Sequence, residues 1–349
     1  MRLERRTQSS LALLLAAPVI AIVIALALSG GLIALAGVNP LDAYAAMVKG
    51  AFGSRLSISE TLTRTTPLIL TGLAAAVAFR ARLWNIGGEG QLYAGALVAA
   101  WLGHNMAAGL PTPLAIILIM LAGMLAGALL LLGPVLLRLR LGVDEVVTTL
   151  ILNFIVLLFV SMMIEGPLKD PLAFGWPQSV PVDSDVMLPK LLSRSRLHIG
   201  LIIAILAAFV IWIVQSRTVF GMETKAAGLN TRAASFAGIK LGRTLLGVAC
   251  ISGGMAGLAG AIEVTGLKGY VTLDLSPGYG YSGIVVAMLA ALHPVGVVIT
   301  ALFVAIVFVG ADAMSRALGV PSFIADVIVS ISLLTMLVSL LFTTYRVRR

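Results

Sequence analysis

Residues 113–137 read PLAIILIMLAGMLAGALLLLGPVLL, a run without a single charged side chain that ends just before Arg138 and Arg140. A helix needs about 20 apolar residues to cross the hydrocarbon core of a bilayer, which is roughly 30 Å thick. The run meets that length. It therefore predicts a transmembrane helix.

The composition of the whole chain supports the same conclusion. Hydrophobic residues make up 60% of the 349 positions and charged residues 11%, whereas a soluble globular protein carries about 25% charged residues. So few polar side chains cannot cover a water-facing surface, and we expect an integral membrane protein. The formal net charge is +9, but the cations flank apolar runs and form no stripe, so no nucleic acid is expected as a partner.

Other apolar runs follow the same pattern along the chain. We predict an all-α, polytopic fold with about ten membrane-spanning helices in a single transmembrane domain that covers residues 1–349, surrounded by the lipid bilayer. The predicted spans are about 11–38, 60–79, 84–103, 113–137, 143–164, 199–215, 244–266, 279–292, 294–311 and 323–343.

The first run, 11–38, follows the basic start MRLERR and contains the triplet Ala34, Leu35 and Ala36. That arrangement also occurs in cleavable signal peptides. Signal peptides, however, have an apolar core of only about 7 to 15 residues. Because this run is much longer, we expect it to remain as a span.

Lys and Arg accumulate on the cytoplasmic side of membrane proteins, which orients the predicted spans. Most of the basic residues fall on one side if both termini are cytoplasmic. In that orientation the loop 165–198 is external, and the loop 216–243 is cytoplasmic. The cytoplasmic loop is Ala-rich and interrupted near Gly228 and Asn230, which predicts two short helices joined by a turn.

Two similar stretches indicate a possible inverted repeat. GLAAAV at 72–77 resembles GLAGAI at 257–262, and each precedes a Gly-rich segment, WNIGGEGQLYAG at 84–95 and LDLSPGYGYSG at 273–283. The two stretches run in opposite directions in the predicted topology. Inverted repeats with Gly-interrupted helices are common in transporters.

Several polar residues fall within or beside the predicted spans, where an unpaired charge is costly. Glu89 either lines a solute path in a broken helix or caps a helix start. Arg64 either pairs with a carboxylate such as Glu89 or Glu263, or extends toward the outer surface. Asn153 is explained by hydrogen bonds between helices. The candidate solute-path residues are Arg64, Asn85, Glu89, Gln91, Asn153 and Glu263.

No catalytic residue set emerges from the sequence. Phosphate-binding loops, zinc-protease motifs and nucleophile-elbow motifs are missing, so we predict neither an enzyme nor an ATPase. His104, His198 and His293 all fall at predicted span ends, two outside and one inside, which argues against a metal site. The single cysteine, Cys250, excludes an intrachain disulfide.

The stretch RLWNIGGEGQLYAGALVAA at 82–100 and the stretch GLNTRAASFAGIK at 228–240 resemble the permeases of ABC importers for branched-chain amino acids, ribose and nucleosides. The segment Asn85 to Gln91 is most similar to nucleoside permeases that work with basic-membrane-lipoprotein binding proteins. The resemblance implies a type II importer fold in the bacterial inner membrane. It also implies three partners: a second permease subunit, similar or identical, an ABC ATPase subunit, and an extracytoplasmic solute-binding protein.

The resemblance also implies a coupling segment in the loop 216–243. The matching positions are Gly228, Asn230, Ala233, Ala234 and Gly238. In this interpretation a short helix built from small residues enters a groove of the ATPase. The chain itself then needs no cofactor, because the partner subunit uses the ATP.

Three functions are compatible with these features. The first is uptake of nucleosides or related solutes as the permease subunit of an ABC importer. The second keeps that machinery but carries a simple sugar such as ribose. The third is an ion-coupled secondary transporter in which Glu89 and Glu263 bind protons or sodium.

Overall fold

The computed structural model describes residues 2–5, 11–105, 110–321 and 323–348. Two short strands, β1 (Arg2–Arg5) and β2 (Tyr345–Arg348), lie at the two ends of the chain. The helices between them are α1 (Leu11–Leu35), α2 (Pro40–Phe52), α3 (Arg55–Arg80), α4 (Gly88–Asn105), α5 (Thr112–Leu141), α6 (Glu145–Glu165), a 3-10 turn (Ser184–Val186), α7 (Gly200–Arg217), α8 (Val219–Leu229), α9 (Thr231–Phe236), α10 (Leu241–Glu263) with a π-helical extension (Val264–Lys268), α11 (Tyr279–Leu289), α12 (Pro294–Leu318) and α13 (Ile324–Thr344).

The predicted all-α, polytopic membrane fold is confirmed, but the number of about ten spans is not. Among the described residues, six helices are long and apolar enough to cross a membrane: α3, α5, α6, α7, α10 with its extension, and α12. A seventh span results if α1 and α2, which meet at an angle of 115°, are counted as one broken helix.

The structure differs from the predicted spans at α11, α12 and α2. The segment 279–292 is not a full span, because α11 has 11 residues, and at 1.5 Å per residue it covers only about half of a bilayer. Helix α12 continues to Leu318 instead of ending at 311, since Asp312 is paired with Arg64 of α3 and does not interrupt it. The sequence analysis also missed α2, because a segment of such moderate polarity resembles a loop between two spans.

Helices α3 and α10 form the centre of the molecule. In the apolar window of α3, 89% of the residues are buried, and in that of α10, 78%, against 28% in both α6 and α7. Helices α6 and α7 therefore present most of their apolar side chains outward, where lipid would contact them. The polar residues of α3 and α10 are enclosed by protein.

Glycines allow α5 and α10 to approach until their backbones touch. A Cβ atom on Gly257 of α10 would collide with the carbonyl oxygen of Gly123 on α5. A Cβ atom on Gly253 would lie 2.9 Å from both the carbonyl carbon of Gly127 and the Cα of Ala128. Small residues at such crossings maximise van der Waals contact between membrane helices, where lipid is as apolar as the side chains.

The two similar sequence stretches form matching elements. GLAAAV lies in α3, which is followed by the irregular segment 81–87 and α4; GLAGAI lies in α10, which is followed by the irregular segment 269–278 and α11. Helices α3 and α10 are antiparallel. The Oγ of Ser252, near the middle of α10, donates to the carbonyl of Ala74 at 2.7 Å, and the later residue Glu263 shares a cavity with the earlier residue Arg64.

The two chain ends lie together. Strands β1 and β2 pair antiparallel, with Arg2 opposite Arg348 and Arg5 opposite Tyr345. The sequence analysis did not predict this small sheet. It places both ends of the chain on the same side of the helical bundle.

The segment 166–199 covers one end of the bundle, which we call the long-loop end. Backbone hydrogen bonds join it to the segment after α10: Val182 donates to Gly269 at 2.7 Å and Leu188 donates to Thr265 at 2.8 Å. Its side chains Val186 and Leu188 are buried. Helices α8 and α9 lie at the opposite end, and they confirm the predicted pair of short helices around Asn230.

The glycine contact between α5 and α10 predicts a strong effect of a single methyl group. Gly257→Ala should destabilise the fold by about 3 kcal/mol, because overfilling a packed core costs about 1–3 kcal/mol and the obstacle here is rigid backbone. Thermal unfolding in detergent measures the change.

Gly133→Ala is the matched control for this experiment. Gly133 lies inside α5 and has no atom within 4 Å of an added Cβ. The melting temperature of this variant should equal or slightly exceed that of the parent protein, because alanine is favoured over glycine inside a helix. Equal melting temperatures for the two variants would contradict the proposed contact.

Candidate functional site

Helices α4 and α11 begin next to each other inside the bundle. The Oε2 atom of Glu89, in the first turn of α4, accepts a hydrogen bond from the backbone N–H of Gly280 at 2.7 Å. Gly280 is in the first turn of α11. A Cβ atom on Gly88 would lie 3.3 Å from the carbonyl oxygen of Gly280, so the two backbones nearly touch. Glu89 thus lies between two helix N-termini, where a carboxylate is favoured.

A pair of amide side chains holds the segment that leads into α4. Asn85 Nδ2 donates to Gln91 Oε1 at 2.9 Å, and Gln91 Nε2 donates back to Asn85 Oδ1 at 2.8 Å. Asn85 Nδ2 also donates to Ser252 Oγ on α10 at 3.0 Å. The irregular backbone before α4 is therefore tied to the helix and to the centre of the bundle.

Asn153 of α6 performs the same role from the other side. Its Oδ1 accepts from the N–H of Gly90 at 2.8 Å, and its Nδ2 donates to the carbonyl of Ile86 at 2.9 Å. The hydroxyl of Thr149 accepts from the N–H of Ile86 at 3.2 Å. The bond to Gly90 joins α6 to α4, and the two bonds to Ile86 join α6 to the irregular segment before α4. Together they satisfy backbone groups that α4 cannot satisfy itself.

The structure therefore brings four of the six candidate path residues into one buried cluster. Asn85, Glu89, Gln91 and Asn153 are each at most 3% exposed. Their hydrogen bonds run to one another, to the backbone and to the hydroxyl groups of Ser252 and Tyr281. None of the four lines either of the cavities at the long-loop end. Within this subunit they act as a polar scaffold for α4 and α11.

The other two candidates, Arg64 and Glu263, line a water-accessible space at the long-loop end. An outer cavity of about 610 Å³ lies between α3, α12 and the residues 190–196 of the long loop. An inner cavity of about 350 Å³ reaches Glu263 and Tyr279. The two share Glu60, Arg64, Arg196 and Asp312, so they lie side by side, and we call them together the vestibule.

Arg64 is held by ion pairs inside this vestibule. Its Nη2 lies 2.7 Å from Oδ2 of Asp312 on α12, and its Nε lies 3.5 Å from Oε1 of Glu60, one turn earlier on α3. Neither Glu89 nor Glu263 is its partner. The sequence analysis missed Asp312 because the predicted span 294–311 ended one residue before it. A charged residue directly after an apolar run could have indicated that Asp312 has a partner inside the protein.

The candidate coupling residues lie at the end opposite the vestibule, and only some of them face outward. Asn230 caps α9 by accepting from the N–H of Ala233 at 3.1 Å, and Gly238 has a positive φ of 86°. Gly228 and Ala234 are buried; a Cβ atom on Gly228 would collide with the carbonyl oxygen of Arg80, at the end of α3. Phe236, which the sequence analysis did not single out, is 97% exposed.

The three histidines lie apart, and no group of three metal-ligating side chains occurs among the described residues. His198 is fully buried between Gly200 and Gly266, and its Nδ1 accepts from the N–H of Gly200 at 3.1 Å. Burial lowers the pKa of His198 to about 4, so its imidazole is neutral at physiological pH. It packs at the base of the long loop, and its Nε2 atom has no hydrogen-bond partner among the described residues.

A comparison with known families connects this architecture to a function. Residues 57–342 match the family model described as branched-chain amino acid transport system, permease component. The chain belongs to this permease family. It is therefore a multi-pass membrane protein and the permease subunit of an ABC transporter, not an enzyme.

Individual relatives extend over nearly the whole chain. The guanosine ABC transporter permease NupP of Bacillus subtilis is 36% identical over 91% of this chain and 91% of its own. The nucleoside ABC transporter permease NupB of Lactococcus lactis is 36% identical over 89% and 87%. The glucose ABC transporter permease TsgB13 of Haloferax volcanii is 33% identical over 95% and 89%. No solved structure matches this permease.

Two substitutions of Glu89 distinguish a role in capping a helix from a role in carrying a proton. Glu89→Gln keeps an oxygen that accepts from Gly280, so uptake per folded molecule should stay within about threefold of the parent protein. Glu89→Leu leaves that N–H without an acceptor and should destabilise the fold by about 1–3 kcal/mol.

Uptake assays normalised to folded protein, together with thermal unfolding, measure both effects. Thr148→Val is a control, because the Thr148 hydroxyl bonds only to carbonyls of its own helix. Complete loss of uptake in a stably folded Glu89→Gln protein would show that the proton on this carboxyl group matters for transport.

Proposed function

We propose that this permease forms half of the translocation path of an ABC importer for nucleosides. Two relatives with 36% identity are named for guanosine or nucleosides. The inner cavity supports the same solute class, because it combines the aromatic side chains Tyr279 and Phe308 with many hydrogen-bonding groups. A nucleoside has a flat base that can stack on the aromatic side chains and a hydroxylated sugar that can bind the hydrogen-bonding groups.

A simple sugar is the second candidate solute. The relative TsgB13, 33% identical, is named as a glucose permease. A free sugar would use the hydrogen-bonding groups of the vestibule but has no flat ring to stack on the aromatic side chains. Membership in the ABC permease family argues against the third possibility, a secondary transporter driven by an ion gradient.

The vestibule is the proposed outer part of the solute path, with Arg64 and Glu263 as its polar wall. The buried residues Asn85, Glu89, Gln91 and Asn153 hold the starts of α4 and α11, and Tyr279 of α11 lines the inner cavity. The distribution of Lys and Arg supports an orientation in the cytoplasmic membrane with the vestibule on the external side and both termini in the cytoplasm. The solute-binding protein would then dock over the long loop.

The segment α8–α9 is the proposed contact with the ATPase subunit. It lies at the end opposite the vestibule, and its exposed surface carries the large apolar side chains Leu229 (67% exposed) and Phe236 (97% exposed). Such side chains are stable in a groove of a partner and unfavourable in water. Because Gly228 packs against Arg80 instead, a bulky residue at 228 would disturb this chain before it disturbed the interface.

Reconstituted transport tests the proposed solute and energy source. Proteoliposomes containing this permease, the second permease, the ATPase and the binding protein should accumulate guanosine when ATP is present on the α8–α9 side. Vesicles with this chain alone should accumulate nothing under a proton or sodium gradient. Glucose accumulation without guanosine accumulation would replace the nucleoside by the sugar, and gradient-driven uptake would contradict an ABC mechanism.

The exposed phenylalanine gives a direct test of the coupling surface. Phe236→Ala should weaken binding of the ATPase by about 2 kcal/mol, roughly 30-fold, as expected for an aromatic anchor at the centre of an interface. Co-purification of the ATPase with the tagged permease measures the loss. Phe174→Ala is the matched control, since Phe174 is equally exposed but lies in the long loop at the other end.

A further inference from the structure

One oxygen of the buried carboxyl group of Glu263 has no hydrogen-bond partner within the part of the chain that the structure describes. Glu263 is the last residue of α10 and is 1% exposed. Its Oε1 atom has no hydrogen-bond donor among the described residues. A buried polar atom without a partner destabilises a fold, so such groups are rare unless a ligand or another molecule completes them.

The position of Glu263 indicates where that donor would come from. Glu263 lines the inner cavity of about 350 Å³. The cationic side chain of Arg64 in the same cavity is already engaged by Asp312 and Glu60, and Arg196 lies 3.8 Å from Glu60. Lys268, the third cation that lines this cavity, forms no ion pair with Glu263 among the described residues. Glu263 therefore remains available to a solute that enters the cavity.

The charges of the inner cavity restrict the chemistry of that solute. Five acidic side chains line it, and only three basic ones do: Arg64, Arg196 and Lys268. A phosphorylated solute would meet like charges there. A neutral solute with several hydroxyl groups can donate hydrogen bonds to the carboxyl oxygens without that repulsion.

We propose that Glu263 accepts hydrogen bonds from the ribose hydroxyl groups of a neutral nucleoside during its passage through the inner cavity. Tyr279 and Phe308 of the same cavity contact the base. This inference rests on the proposed nucleoside uptake and adds the residue that recognises the sugar. A pocket built to bind a hydroxyl group rejects an analogue that lacks it, because its own polar group is then left unpaired.

Maximal transport rates of guanosine and 2′,3′-dideoxyguanosine test this role. Both solutes are supplied at saturating concentration to the complete reconstituted transporter, so that the binding protein is fully loaded in each case. The parent protein should carry guanosine at least about tenfold faster. Glu263→Gln should lower the guanosine rate and bring the ratio of the two rates close to one.

Two further variants separate recognition from a structural role. Glu165→Gln removes the same charge at the exposed end of α6, outside the vestibule, and should leave both rates unchanged. Glu263→Leu removes the unpartnered carboxyl group, so its melting temperature should equal or exceed that of the parent protein, while guanosine transport falls. This stability measurement remains informative if Glu263→Gln gives too little folded protein for transport.

The outcomes distinguish this inference from the proposed function. Equal loss of both rates in Glu263→Gln, or a lower melting temperature of Glu263→Leu, shows a structural role and overturns the inference while nucleoside uptake stands. An unchanged ratio of the two rates overturns it as well. If the parent protein carries no nucleoside at all, the proposed function fails, and the inference fails with it.

Discussion

The N–H groups at the starts of α4 and α11 need acceptors inside the bundle, because lipid offers none. The first turns of these helices meet where Gly88 approaches Gly280, and Glu89 accepts the N–H of Gly280. Asn153 accepts the N–H of Gly90. Irregular backbone at this depth is stable only when protein groups replace water, and these side chains supply that replacement.

The same constraint explains the arrangement of the surrounding helices. The acceptors come from α4 and α6, while Ser252 of α10 anchors the amide of Asn85. For Asn85 to reach Ser252, α4 and α10 must approach closely, and the contact of Gly95 on α4 with the backbone of Gly257 on α10 permits that approach. The glycines and the polar cluster therefore depend on each other. The glycines set the distance between the helices, and the polar side chains form their hydrogen bonds across that distance.

The vestibule follows from the short length of α11. Since α11 begins inside the bundle, the segment 269–278 runs down from the long-loop end without helical structure and opens a space beside α3 and α12. Arg64 forms ion pairs with Asp312 and Glu60 on one side of this space. Glu263 lies on the other side, where its Oε1 atom has no hydrogen-bond partner among the described residues; this is the group that we propose recognises the sugar of a passing solute.

The sequence by itself determined the membrane class, most of the long helices, the paired short helices around Asn230 and the two similar stretches. These depend on local composition and spacing, since 20 apolar residues or an N-capping amide act through nearby atoms. The tertiary structure decided the length of α11, the role of Gly228 and the ion pair between Arg64 and Asp312. Each of these depends on groups far apart in the chain, so only the packed helices show which polar residues satisfy one another and which remain free.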